Sequence, residues 1–158
     1  MKCGTILLAE DNGRLRRLYA DSLRLQGYDV YDFDSGEPLL SQIGAKSPDL
    51  VVLDVAMPGP GGIEICRRAR LALHPRVPVV ILTGFEDPEL VEAAFAAGAD
   101  DFIVKSGTLN EICERIDAWV ERSGLTDLPA LRRQILDKLR SRRSGHASGM
   151  RPSVARVS

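Results

Sequence analysis

Glu10, Asp11, Asp54, Thr83 and Lys105 are far apart in the chain, yet each stands at or just past the end of a short apolar run. Three carboxylates, one hydroxyl and one ammonium brought to a common place would form a site of unusual charge. Clustered carboxylates raise one another's proton affinity unless a cation sits among them. Hard oxygen donors with no His or Cys beside them favour Mg²⁺, which commonly keeps several waters and takes one or two carboxylates. The remaining groups suit a phosphoryl group: an ammonium as point-charge partner for its oxygens, a hydroxyl and loop amides as hydrogen-bond donors. Aspartate is itself a competent nucleophile for acyl-phosphate formation.

What must position these groups is an alternation of strands and helices. Strands are predicted at TILLA (5–9), DVYDF (29–33), DLVVL (49–53), within VPVVILT (77–83) from Val79 onward, and at DFIV (101–104). The first helix is expected to carry Leu15, Leu18, Tyr19, Leu23 and Leu25 inward and to stop at Gly27. Ser35 offers an N-cap to a second helix reaching about Ala45, and Ile63–Leu73 and Pro88–Ala97 read as the third and fourth. Thr108–Arg122 is the fifth, with Thr108 and Glu111 spaced as a capping box. Parallel strands need crossovers, so five β-α units in a row predict an α/β fold, a doubly wound parallel sheet with helices on both faces. In such sheets ligands bind beyond the carboxyl ends of the strands, where all five groups would lie.

The 158 residues suit one domain of roughly 100–150 residues and a modest appendage. No apolar run approaches the ~20 residues of a membrane helix, and no signal peptide is visible, so a cytoplasmic location is expected. Cys3, Cys66 and Cys113 match no metal-ligand spacing and read as small buried hydrophobes in a reducing compartment. The net charge of −1 hides an asymmetry: to Gly124 there are 13 Lys+Arg against 20 Asp+Glu, and from Leu125 onward 8 against 2. An acidic body with a basic tail suggests two parts with different partners.

The segments LLAEDN, VVLDVAMPGPGG, VVILTG and GADDFIVKSG, in this order and spacing, resemble the receiver domain of two-component response regulators over about Lys2–Gly124. The resemblance implies a (βα)5 flavodoxin-like sheet of order 2-1-3-4-5, with Asp54 as phosphoacceptor. It implies Mg²⁺ held by Asp11, Asp54 and the carbonyl of Ala56, with Glu10 acting mostly through water. Lys105 would contact the phosphoryl group, Thr83 would hydrogen-bond it, and Phe102 would be the aromatic switch partner. The implied donor is a sensor histidine kinase or a histidine phosphotransfer protein, and the output is contact with a downstream protein. Such a chain is a signalling switch rather than a conventional enzyme.

Two departures from that family pattern matter. Ser106 follows Lys105 where most relatives have a cis proline. A non-proline cis bond costs about 2.5–4 kcal/mol, so a trans bond is expected. Ala56 and Phe85 flank the path of an attacking water and cannot orient it, which predicts slow self-dephosphorylation. In the loop after Asp54, Pro58 is expected to fix one turn, and Gly61 and Gly62 to permit backbone shapes that other residues resist.

Residues 125–158 read as a basic extension: a helix over about 128–142 with Asp127 as cap, then a disordered end from Ser144. Leu128, Leu131, Ile135 and Leu139 form an apolar stripe, and Arg132, Arg133, Lys138, Arg140, Arg142 and Arg143 cover much of the rest. The segment is too short for an independent DNA-binding domain, so a single receiver without an attached output domain is expected. The stripe would pack on its own receiver or on a second copy; the alternatives are a basic segment for nucleic acid or an acidic partner, and a solvated extension without a task. A haloacid-dehalogenase-like phosphatase would want an acid at position 56, which is Ala, and a dinucleotide binder would want a glycine-rich turn where AEDNG stands.

Overall fold

The computed structural model describes residues 2–147, with side chains through residue 145. Five strands, β1 (Thr5–Ala9), β2 (Asp29–Phe33), β3 (Leu50–Asp54), β4 (Val79–Thr83) and β5 (Asp101–Val104), alternate with helices α1 (Gly13–Leu25), α2 (Gly36–Lys46), α3 (Gly62–Ala72), α4 (Pro88–Ala96) and α5 (Leu109–Arg122); α6 (Leu128–Ala147) follows. All strand pairs are parallel and the sheet order is β2-β1-β3-β4-β5. The expected doubly wound architecture is therefore what the chain adopts.

Alternate residues of each strand point to opposite faces, so the apolar strands feed two cores. On one face Ile6, Leu8, Val52, Val80, Leu82 and Ile103 pack under Tyr19 and Leu23 of α1 and Ile112, Ile116 and Val120 of α5. On the other, Leu7, Val51, Leu53, Val79 and Ile81 pack under Leu39 and Ile43 of α2, Ile65, Cys66 and Ala69 of α3, and Ala94 of α4. Complete burial of side chains such as Ile116 and Leu39 contributes about 1.5–3 kcal/mol each. The central strands β3 and β4 are buried throughout, which explains their unbroken apolar sequence.

Several details differ from the sequence reading. In α1 the inward row is Leu15, Tyr19 and Leu23, one residue every fourth position; Leu18 is exposed and Leu25 is 89% exposed. Leu25 lies two residues past Leu23, which a helix turns well away from the core. The cap of α1 is Asn12, whose Oδ1 accepts from the Arg14 and Leu15 amides, whereas Ser35 makes no side-chain cap bond to α2. The Thr108–Glu111 capping box forms as expected. Cys3 is exposed rather than buried; Cys66 and Cys113 are buried, and all three are free thiols. Residues 144–147, expected to be disordered, continue α6; the rest of the expected disordered end lies outside the described residues.

Of the placements open to the extension, packing on its own receiver is the one adopted: α6 lies against α4. Leu128 is buried, Ile135 and Leu139 are half-buried, and Leu131 is exposed. The anchor is a residue the apolar stripe did not include. The Arg132 guanidinium, whose side chain is 12% exposed, bonds both carboxylate oxygens of buried Asp100 at 2.8 and 3.1 Å and the Pro75 carbonyl at 3.1 Å. Asp100 also accepts from Arg70 at 3.0 Å and from the Val79 amide at 2.9 Å. Among the described residues no helix is long and apolar enough to cross a membrane.

Candidate functional site

Three strand ends build the site. The Glu10 amide donates to the Phe33 carbonyl at 3.0 Å, holding the chain in sheet geometry one residue beyond β1. Asp54 is the last residue of β3, and the Val55 amide donates to Leu82 at 3.1 Å, so the acid leaves a strand still tied to β4. The Lys105 amide donates to Thr83 at 2.7 Å, extending β5 by the residue whose ammonium matters.

From these ends the side chains converge. Lys105 Nζ lies 2.6 Å from Glu10 Oε2 and 3.1 Å from Asp54 Oδ2. One carboxylate oxygen each from Glu10, Asp11 and Asp54 fall within 4.8 Å of one another. Glu10 and Asp54 are buried, and Asp11 stands exposed at the mouth. Asp54 Oδ1 accepts from the Ala56 amide at 3.2 Å, and Glu10 Oε1 from the Asn12 amide at 3.2 Å. Glu10 Oε2, though close to the ammonium, has no hydrogen bond of good direction; the contact with Lys105 is one of charge rather than of aligned donor and acceptor.

The electrostatics follow from that crowding. Burial, aided by the nearby Asp54 charge, raises the Glu10 pKa from an ordinary 4.5 to about 7, and Lys105 opposes the shift only in part. Burial would lower Lys105, but its close ion-pair contacts with Glu10 and Asp54 outweigh this and hold its pKa above normal. Burial likewise raises the Tyr19 hydroxyl in the adjoining core. Three acids against one ammonium, with a buried oxygen lacking a directed partner, form a donor set that fits a divalent cation.

The other expected site residues are placed less directly. The Thr83 side chain is buried at the end of β4, and its hydroxyl accepts from the Phe85 amide at 3.1 Å and donates to the Phe85 carbonyl at 3.2 Å. Phe102 is half-buried, pairs in register with Ile81 and packs on the core beneath α2–α4. Ala56 is exposed, and so is Phe85, at 68%. Among the described residues every peptide bond is trans, Lys105–Ser106 included. The glycines of the loop work differently from expectation. Gly59 carries the positive φ of +79°, whereas Gly62 is needed because a Cβ there would overlap the Asp54 carbonyl. That absence of a side chain lets α3 start directly against the end of β3.

Two supporting residues were missed by sequence reasoning. Asn12 caps α1 and directs its own amide at Glu10; an Asn immediately before a helical pattern was the available signal. Arg16 donates to the Glu10 carbonyl at 2.9 Å and pairs with Asp32 at 3.3 Å, a reach that no local pattern discloses.

The same segments carry likeness to known proteins. The family model described as the response regulator receiver domain matches residues 6–117. The transcriptional regulatory protein CreB of Escherichia coli K12 is 33% identical over 122 residues, covering 77% of this chain and 53% of that protein. AfsQ1 of Streptomyces coelicolor, also a transcriptional regulatory protein, is 37% identical over 118 residues, covering 75% and 52%. A putative response regulator from Chloroflexus aurantiacus superposes with a TM-score of 0.68 at 32% identity, covering 76% of this chain and 99% of that one. The chain spans about half the length of these two curated relatives.

Proposed function

The chain belongs to the receiver-domain family of two-component response regulators, and on that premise we propose that Asp54 is its phosphoacceptor and that the rest of the pocket serves this one residue. Receiver domains are phosphorylation-dependent signalling switches, so the reaction is single-turnover modification of the chain itself. An Asp54 carboxylate oxygen attacks the phosphorus of a phosphohistidine; the P–O bond forms, the P–N bond breaks, and the imidazole leaves with the bonding pair and takes up a proton. Lys105, already 3.1 Å from Asp54 Oδ2, offers its charge to the incoming phosphoryl oxygens. The Ala56 amide orients the other carboxylate oxygen. Mg²⁺ would be held by Asp11, Asp54 and the Ala56 carbonyl, with Glu10 behind it through water, and supplies positive charge for the transferring group. Thr83 is the hydroxyl donor, and Phe102 the aromatic that fills space when Thr83 turns.

The observation that carries this reading is the Lys105 ammonium set between two buried carboxylates at the strand ends. Incubation with acetyl phosphate and Mg²⁺ tests it. The expected result is a single phosphoryl adduct on Asp54 by peptide mass spectrometry, lost in Asp54→Asn and on chelation. An adduct on another residue overturns it.

The donor is a sensor histidine kinase or phosphotransfer protein, the location is the cytoplasm, and the output is contact with a downstream protein or a second copy. Residues 1–124 form the receiver and 125–158 an extension. Exposed Arg133, Lys138, Arg140 and Arg142 on α6 keep a nucleic-acid role as the second reading. Salt-dependent binding to duplex DNA, compared with and without charge reversal at those positions, separates the two.

A further inference from the structure

The helix α6 is held to the receiver unequally along its length. Its first turns carry buried Leu128 and the Arg132–Asp100 pair, and the segment before it is tied by the Gly124 amide to the Arg76 carbonyl at 3.1 Å. This end lies where β4 and β5 begin, since Asp100 precedes β5 and bonds the Val79 amide. The helix then runs antiparallel to α4 towards the opposite end of the sheet. There Arg143, 62% exposed, bonds Glu92 at 2.8 Å, and Leu139, Arg142 and Arg143 line a groove of about 520 Å³ with Glu86, Pro88 and Val91. An exposed ion pair contributes only about 0.2–1 kcal/mol, and an open groove leaves apolar surface unfilled. The distal half is the weak half.

Across that groove the weak half faces the first half of α4 and the loop before it. That loop leaves β4 at Thr83, and its first turn is closed by the Thr83 hydroxyl on both backbone groups of Phe85. A hydroxyl has one proton, so it donates to one acceptor at a time. On the proposed function a phosphoryl group on Asp54 takes that proton; β3 and β4 are tied side by side there through the Val55 amide and the Leu82 carbonyl. Donating to the phosphoryl group costs the bond to the Phe85 carbonyl and frees the loop that carries Glu86 and Pro88.

We propose that the distal half of α6 is an intramolecular cover over α4 that phosphorylation loosens, while the Arg132 anchor keeps the helix attached as a hinge. This rests on Asp54 being the phosphoacceptor. The cover makes the face of α4 that carries half-buried Val91 and Glu92 a conditional surface, open to a partner only in the phosphorylated chain. Coupling of this kind is reciprocal: whatever loosens α6 is itself favoured when α6 is loose.

The test is amide hydrogen exchange on the full chain with and without beryllofluoride and Mg²⁺, beside the acetyl phosphate reaction. Allosteric couplings commonly amount to about 5- to 150-fold, and exchange over residues 136–145 is expected to rise within that range while residues 128–132 change less than about two-fold. A second variant, Cys3→Ser with Glu92→Cys and Arg143→Cys bridged by a short bis-maleimide, ties α6 down. It is expected to bind beryllofluoride more weakly by a similar factor than the same variant unbridged. Modification at Asp54 with unchanged exchange, or with equal change at both ends of α6, overturns the cover and leaves the acceptor standing. Equal beryllofluoride affinity in the bridged and unbridged forms overturns it too. Absence of any adduct at Asp54 overturns the acceptor and the cover with it.

Discussion

The chain buries carboxylates at both ends of its sheet, and the two places have opposite balances. At the carboxyl ends of the strands, Glu10, Asp11 and Asp54 share one ammonium, and a buried Glu10 oxygen lacks a directed donor. At the other end, Asp100 alone faces two guanidiniums and an amide. The first cluster is short of positive charge and fits a metal and a phosphoryl group. The second is complete within the protein and serves to fix α6. Burial raises the Asp100 pKa even beside Arg132 and Arg70, and it lowers Arg70. Such a triad specifies position more than it adds stability. A buried acid is thus not in itself a sign of chemistry; the unmet demand around it is.

The comparison can be broken hardest at Asp100. Asp100→Ala leaves two largely buried guanidiniums without a counter-charge and is expected to cost about 3 kcal/mol in denaturant unfolding, while Asp54 in the folded fraction still accepts a phosphoryl group. Lys105→Ala should do the reverse. The rate of phosphorylation by acetyl phosphate falls on the order of 10²-fold, the scale for loss of one charge-stabilising group, and the Asp100 cluster is untouched.

A pH series sharpens the contrast. Glu10 keeps its proton in the native metal-free chain to about pH 7 and loses it near 4.5 when unfolded. The unfolded state therefore binds fewer protons between those values, and this residue makes stability fall as pH rises through that window. Melting temperatures without metal should show the decline; Mg²⁺ or Glu10→Gln should flatten it. The smallest effect is expected at the rim: Ala56→Asn with Phe85→Glu shortens the lifetime of the acyl phosphate by roughly tenfold by positioning the attacking water.

Much of this molecule was legible before its coordinates. Strand runs, crossovers and turn residues each have local causes, so β1–β5 and the meeting of Glu10, Asp11, Asp54 and Lys105 followed from pattern and topology. What was not legible depended on distance. In sequence Arg132 is one more charge on a basic face, because nothing within a helical turn announces a carboxylate 32 residues away. Leu25 is apolar enough to suggest burial, yet its helical angle turns it into solvent. Thr83 was expected to serve the pocket, and its bonds to Phe85 show a hydroxyl with a second allegiance that no motif contains.

The thiols give the chain a practical asset. Burial pushes Cys66 up to about 12 and raises Cys113 as well, whereas Cys3 stands in solvent just ahead of β1. At neutral pH an electrophilic dye therefore meets a single reactive sulfur, remote from the acidic pocket. A fluorophore placed there reports rotation and self-association of the native protein without any engineering.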